Sequence, residues 1–268
     1  MLESISPALA AGVDQAAGLR RLFGTRKARA VAFASGREAC GRTALLVRTA
    51  TALAEAGQGV VIIDENAGTE SVHAALGIKA RHDLLDLVQG DISIEHLVQP
   101  VAPCLSVISA ARFVAAPTQK NTAATERLNV AMRQLQQGCT FILVDCAARH
   151  DQHLSPLALA APHLVVVAAA QGAAITRAYA LIKRLSQACG REGFHVAITK
   201  ARTEQEAQVI FHNMRNTAQA HLNVVLNYLG STRVEGGGFG SDHLASALQS
   251  RLAPVGECGN ELELRPFS

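Results

Sequence analysis

The chain predicts a three-layer α/β/α domain built on a mostly parallel, doubly wound sheet. Short apolar runs alternate with helical patterns almost from end to end. The runs are continuously apolar, as in strands buried on both faces. Regular alternation of β and α implies parallel strands with right-handed crossovers, and places any ligand at the C-terminal strand ends.

In chain order, strands are predicted at 30–35 (AVAFAS), 60–64 (VVIID), 105–110, 141–145 (FILVD), 164–170 (LVVVAAA), 194–199 and 224–229. Helical patterns fall between them at 43–56, 122–137, 174–188 and 204–222. The stretch 83–98 (DLLDLVQGDISIEHLV) reads as two short helices joined at Gly90, inserted over one sheet edge. Three regions result: an arm over 1–27 with its own helix at 14–23, the α/β domain over 28–252, and a tail over 253–268 without periodicity.

Composition narrows the function classes. Hydrophobic side chains make up 49% of the 268 residues and charged ones 18%, which suits one large core rather than disorder. There is no Trp and aromatic content is 4%, so the core must come from Ala, Val, Leu and Ile, and platforms for stacking bases are scarce. The net charge of +3 is uneven: residues 1–50 hold eight basic side chains against Glu3, Asp14 and Glu38, and the rest of the chain is slightly acidic. A basic arm suits an acidic partner surface or phosphates, and equally a solvated linker. Without aromatics or a recognition helix, nucleic-acid binding is not expected. The six cysteines form no CxxC pair and no metal spacing, so reduced cytosolic thiols are expected. The first residues lack a charged start followed by an apolar core, and no apolar run reaches membrane-spanning length, which points to the cytoplasm.

The stretch 34–43, ASGREACGRT, lies between a strand and a helix, where a phosphate-binding loop would sit. Such a loop aims backbone N–H groups and a helix N-terminus at phosphates, with glycines for close approach, a lysine for charge and a hydroxyl for Mg²⁺. Gly36, Gly41 and Thr43 suit that role. The arrangement resembles the deviant phosphate loop of the MinD/ParA ATPases, x-K-G-G-x-G-K-[ST]. On that resemblance the two lysines fall on Arg37 and Arg42, and the paired glycines on Glu38 and Ala39. A carboxylate ~4 Å from a phosphate costs about 4 kcal/mol at an effective dielectric of about 20. A left-handed non-Gly residue adds roughly 1–2 kcal/mol. Together these amount to several decades of affinity.

The family's D-x-D signature falls on Asp64-Glu65-Asn66, where Asn66 cannot act as a base. Its V-D-T-A-x-G signature falls on Val144 to Arg149 and keeps Asp145. The Asn with which the family reads adenine falls on Thr199 and Lys200. The resemblance therefore implies the P-loop NTPase fold with ATP hydrolysis lost and ATP binding weakened. The alternative is a slow ATPase in which Arg37 and Arg42 replace the lysines, Thr43 and Asp145 hold Mg²⁺, and Gly36 and Gly41 shape the loop.

VDQAAGLRRLF, over 13–23, has Asp14 as N-cap and Leu19, Leu22 and Phe23 on one face. So short a helix folds when docked, on its own domain or on a partner. D-Q-A-x-x-L-R ahead of such a domain is similar to flagellar-number regulators of the FlhG/FleN type, as is AAITRAYALIKRL over 173–185. That resemblance implies a docking face of Asp14, Gln15, Ala16, Leu19 and Arg20 for the signal-recognition-particle-type GTPase that places flagella (FlhF type). It also implies contacts with flagellar switch (C-ring) proteins or a flagellar transcription regulator, ATP-bridged homodimers, and recruitment to the pole or membrane by partners. A partition or positioning protein unrelated to flagella is the other family reading.

The family's C-terminal membrane helix has no clear counterpart. Leu244, Leu248 and Leu252 make a narrow stripe that suits a core-facing helix, and Glu257, Glu261 and Glu263 would be repelled by anionic lipids. His150, Asp151 and His153 have no further ligands around them, and Glu235–Gly240 (EGGGFG) reads as a linker.

Overall fold

The structure, a computed structural model, describes residues 28–36, 40–116, 122–147, 153–233 and 241–251. The docking helix expected at 14–23, with Asp14, Gln15, Ala16, Leu19 and Arg20, lies outside the described residues, as do Arg37 and the tail.

Eight strands form one sheet in the order β3-β4-β2-β5-β1-β6-β7-β8. They are β1 (Arg29–Ser35), β2 (Val60–Asp64), β3 (Gln99–Ala102), β4 (Leu105–Ser109), β5 (Phe141–Asp145), β6 (His163–Ala169), β7 (Gly193–Ala201) and β8 (Val225–Arg233). Every pairing is parallel except the β3–β4 hairpin at one edge. The helices are α1 (Arg42–Glu55), α2 (Val72–Ala75), α3 (Leu84–Gln89), α4 (Ile94–Leu97), α5 (Ala111–Ala115), α6 (Thr122–Gly138), α7 (Pro156–Ala160), α8 (Gly172–Cys189), α9 (Glu204–Leu222) and α10 (Ser241–Arg251). Among the described residues no helix is long and apolar enough to cross a membrane.

Successive residues of β1 feed opposite faces, as the period of two requires. Val31 and Phe33 join a cluster with Leu45, Leu46, Leu53, Leu244 and Leu248, so α1 and α10 cover that face. Ala30, Ala32 and Ala34 join the other cluster, with Leu135 of α6, Leu181 and Ile182 of α8, and Phe211 of α9. Full burial of each of these Leu, Ile and Phe side chains contributes about 1.5–3 kcal/mol. The expected core-facing stripe holds at Leu244 and Leu248, which are buried.

Three elements differ from the sequence reading. β3 was not expected: QPVA is four residues long, half-exposed and contains Pro100, all marks of an edge strand. It turns into β4 through Cys104, whose φ of 61° makes the tight reversal. The short α7 was also absent from the prediction, although Ser155 caps it and Pro156 opens it. The two helices around Gly90 do form, but Leu84, Leu87 and Leu97 belong to the main core, in the same layer as α6.

Candidate functional site

β1 lies between β5 and β6, so the chain leaves its C-terminal end in one direction toward β2 and returns on the other side. This is the switch point where a doubly wound sheet opens a crevice. Gly36, Gly41, Arg42, Thr43, Asp64, Asn66 and Asp145 all gather there. A cleft of about 200 Å³ is lined by Ser35, Cys40–Ala44, Thr69–Ser71 and Ala75.

Two glycines shape the loop for different reasons. Gly41 is the N-cap of α1 with φ 81°, a left-handed conformation that favours glycine. No side chain caps α1 there, and its first turn holds no acid. The amides of the first turn therefore face the cleft with the positive helix end behind them. At Gly36 the reason is space: a Cβ would lie 2.5 Å from the backbone carbonyl of Arg177 in α8.

Arg42 points inward, where a phosphate-loop lysine would point at its ligand. Its Nε donates to Asp145 Oδ1 at 2.6 Å, Nη2 to Asn66 Oδ1 at 3.0 Å, and Nη1 to Ser35 Oγ at 3.3 Å. The Thr43 hydroxyl donates to Asp145 Oδ2 at 2.7 Å, and the Asn66 amide donates to the same oxygen at 3.0 Å. Arg42 is 6% exposed and Asp145 is fully buried. Burial pushes the Asp145 carboxyl above its ordinary range against the pull of Arg42 and Thr43. Burial works to lower the guanidinium too, yet Asp145 beside it lifts Arg42 above its usual value. Every side chain that touches the carboxylate donates to it, which is what an ionised Asp145 requires.

The other motif residues are also occupied. Asp64 accepts from the backbone N–H of Asn66 at 3.0 Å and from that of His73 at 3.2 Å, and sits 2.9 Å from His73 Nδ1. Thr199, at the adenine-reading position, donates its hydroxyl to the carbonyl of Cys40 and so ties the loop to β7. His153 is exposed, and among the described residues no group of three metal-ligating side chains gathers.

This donor set does not fit ATP and Mg²⁺ in the manner of the lysine-bearing loop. All three guanidinium nitrogens of Arg42 are spent on protein oxygens, Asp145 accepts from three side chains, and Glu70 adds a carboxylate to the cleft wall. The resemblance has Arg42 at a phosphate only if nucleotide binds; in the structure its guanidinium lies on Asp145, Asn66 and Ser35. A planar fork finds better partners in a carboxylate and an amide close by.

Sequence reasoning missed Glu65. Its side chain is buried, accepts from the Ala147 amide at 3.1 Å and takes a very short hydrogen bond from the Ser155 hydroxyl. Burial pushes its carboxyl up to about 7, against those two donors; Asp145 pushes the same way and Arg42 opposes. An acid whose folded value is raised binds its proton more tightly when folded. The resulting stability is complete below the ordinary value of 4.5 and is lost as pH rises through about 7. Stability should fall by about 3 kcal/mol across that window. Glu65→Gln should flatten the slope in urea unfolding measured at successive pH values; an unchanged slope would assign it to other groups.

Residues 29–171, more than half of the chain, match the family described as ATPase MipZ. The chain belongs to this family of MinD/ParA-type P-loop ATPases. Within the family's reach it is 26% identical to the antiactivator FleN of Pseudomonas aeruginosa over 200 residues, 75% of this chain and 71% of FleN. It is 22% identical to the septum site-determining protein MinD of Bacillus subtilis over 205 residues, 75% of this chain and 72% of that one. Its fold matches the MinD cell division protein of Aquifex aeolicus with a TM-score of 0.60, at 18% identity, over 85% of this chain and 92% of that one.

Proposed function

We propose that this protein regulates flagellar number and placement through protein–protein contact, with an ATPase site that no longer turns over. The observation that carries the reading is the inward Arg42, spent on Asp145, Asn66 and Ser35. With Arg42 turned onto protein oxygens, its position in the loop does not offer the charge that holds and polarises a γ-phosphate. Relatedness to an antiactivator, FleN, supports regulation by docking and favours a flagellar transcription regulator among the partners. The helix over 14–23 then docks on the signal-recognition-particle-type GTPase through Asp14, Gln15, Ala16, Leu19 and Arg20. Switch proteins of the flagellar base are further partners, the protein acts in the cytoplasm, and recruitment to the pole comes from those partners.

The test uses the full chain and the purified GTPase. Leu19→Asp puts a charge in the apolar docking face and should weaken capture at least about tenfold, as loss of a central anchor does. Undiminished capture by Leu19→Asp would count against docking through this helix. Calorimetry with ATP or ADP and Mg²⁺ should show no binding up to millimolar nucleotide; micromolar binding would restore an ATP-dependent switch.

A further inference from the structure

We propose that Arg42 is the resident cation of this site, a positioning residue that pins the C-terminal ends of β1, β2 and β5 together. The inference rests on the reading that the site runs no ATP cycle, and it assigns what takes the ligand's place.

The three partners of the guanidinium come from three neighbouring strand ends. Ser35 closes β1, Asn66 follows β2 by two residues, and Asp145 closes β5. β5 lies between β2 and β1 in the sheet, so one planar group spans the three positions. Asn66 completes the ring: its oxygen accepts from Arg42, while its amide donates to Asp145 Oδ2 and to the Asp145 carbonyl, each at 3.0 Å. Thr43 adds a third donor to the carboxylate, at Oδ2. Each nitrogen of the guanidinium donates within the network, and its charge meets that of Asp145.

A lysine could not do this. Its ammonium is a single point with three donors, whereas these oxygens need a flat fork whose nitrogens diverge. A metal ion would bring a second positive charge against a guanidinium already on Asp145. The substitutions along the loop then have one cause. Once an internal arginine neutralises Asp145, the three strand ends need neither a lysine nor a ligand to hold them together.

Thermal unfolding of the full-length protein tests the assignment. Arg42→Ala should lower Tm by about 10 °C, because it strands a buried carboxylate. Low-millimolar guanidinium chloride, far below denaturing levels, should restore part of that loss in Arg42→Ala and none in Asp145→Ala. Arg42→Lys should fall part of the way, because an ammonium still pairs with Asp145 but cannot also reach Asn66 and Ser35. If Arg42→Ala does not fold, the double variant Arg42→Leu with Asp145→Leu should, since removing both charges leaves neither stranded. Wild-type Tm should not move with millimolar Mg-ATP or Mg-ADP. An Arg42→Ala protein as stable as wild type overturns the proposal, as does a wild-type Tm that rises with nucleotide. Capture of the GTPase is read separately, with Leu19→Asp in the unaltered loop, so a failure of docking is told apart from a failure of the Arg42 assignment.

Discussion

Asp83→Ala is expected to cost about 4 kcal/mol of unfolding stability, although Asp83 belongs to no signature of the family. The side chain is buried, and each oxygen accepts two hydrogen bonds. Oδ1 takes the amides of Leu85 at 3.0 Å and Phe113 at 2.9 Å. Oδ2 takes the Ser109 hydroxyl at 2.8 Å and the Arg112 amide at 3.1 Å. One carboxylate thus caps α3, fixes the end of β4 and opens α5. Four donors lose their acceptor together on truncation, at about 1 kcal/mol each for partly buried groups. Asp83→Asn separates this account from simple packing. It keeps the shape but turns one acceptor into a donor, which then faces two N–H or O–H groups. It should therefore cost nearly as much as alanine, whereas Ser109→Ala should cost about 1 kcal/mol. Urea midpoints at neutral pH decide the matter: an asparagine variant close to wild type would mean that volume, and not acceptor geometry, matters here.

The strands were legible because burial on both faces leaves an uninterrupted apolar run. β2 and β5 fall at the expected residues, and β1 begins one residue earlier. β3 was not legible because an edge strand is held by one neighbour and tolerates Pro100 and exposed positions. At the site, Asp64, Asn66, Asp145, Arg42 and Thr43 were found through the resemblance to the family's motifs, which are local in sequence. The direction of Arg42 was not, since it depends on partners 24 and 103 residues away. The Ser155–Glu65 bond, 90 residues apart in sequence, left no local mark either. Neither did the His73–Asp64 contact, because nothing distinguishes His73 from the other histidines until α2 folds over β2.

Gly36→Ala should destabilise the protein by about 3 kcal/mol, the upper end for overpacking, because the obstacle is main chain. The added Cβ would stand 2.5 Å from both the carbonyl carbon and oxygen of Arg177 and 2.9 Å from the amide nitrogen of Ala178. Ordinary contact begins about 1 Å farther out. α8 reaches so close because the β1 face beneath it carries only Ala30, Ala32 and Ala34, and because its own contact residue is the fully buried Ala178. Relief therefore requires α8 or the end of β1 to move as a unit. Shaving Ala178 to glycine in the same protein should not help, since the clash is with backbone that glycine also has. Gly41→Ala gives the contrast. Nothing lies within 4 Å of its Cβ, and the cost comes only from φ 81°, roughly 1–2 kcal/mol. Displacing β1 would also stretch the 3.3 Å bond between Arg42 and Ser35, the longest in that network. Urea unfolding should rank Gly36→Ala well below Gly41→Ala, with the Ala178→Gly double variant no better than the single. Recovery in the double variant would mean that side-chain crowding, not the approach of two backbones, made glycine necessary at the mouth of the loop.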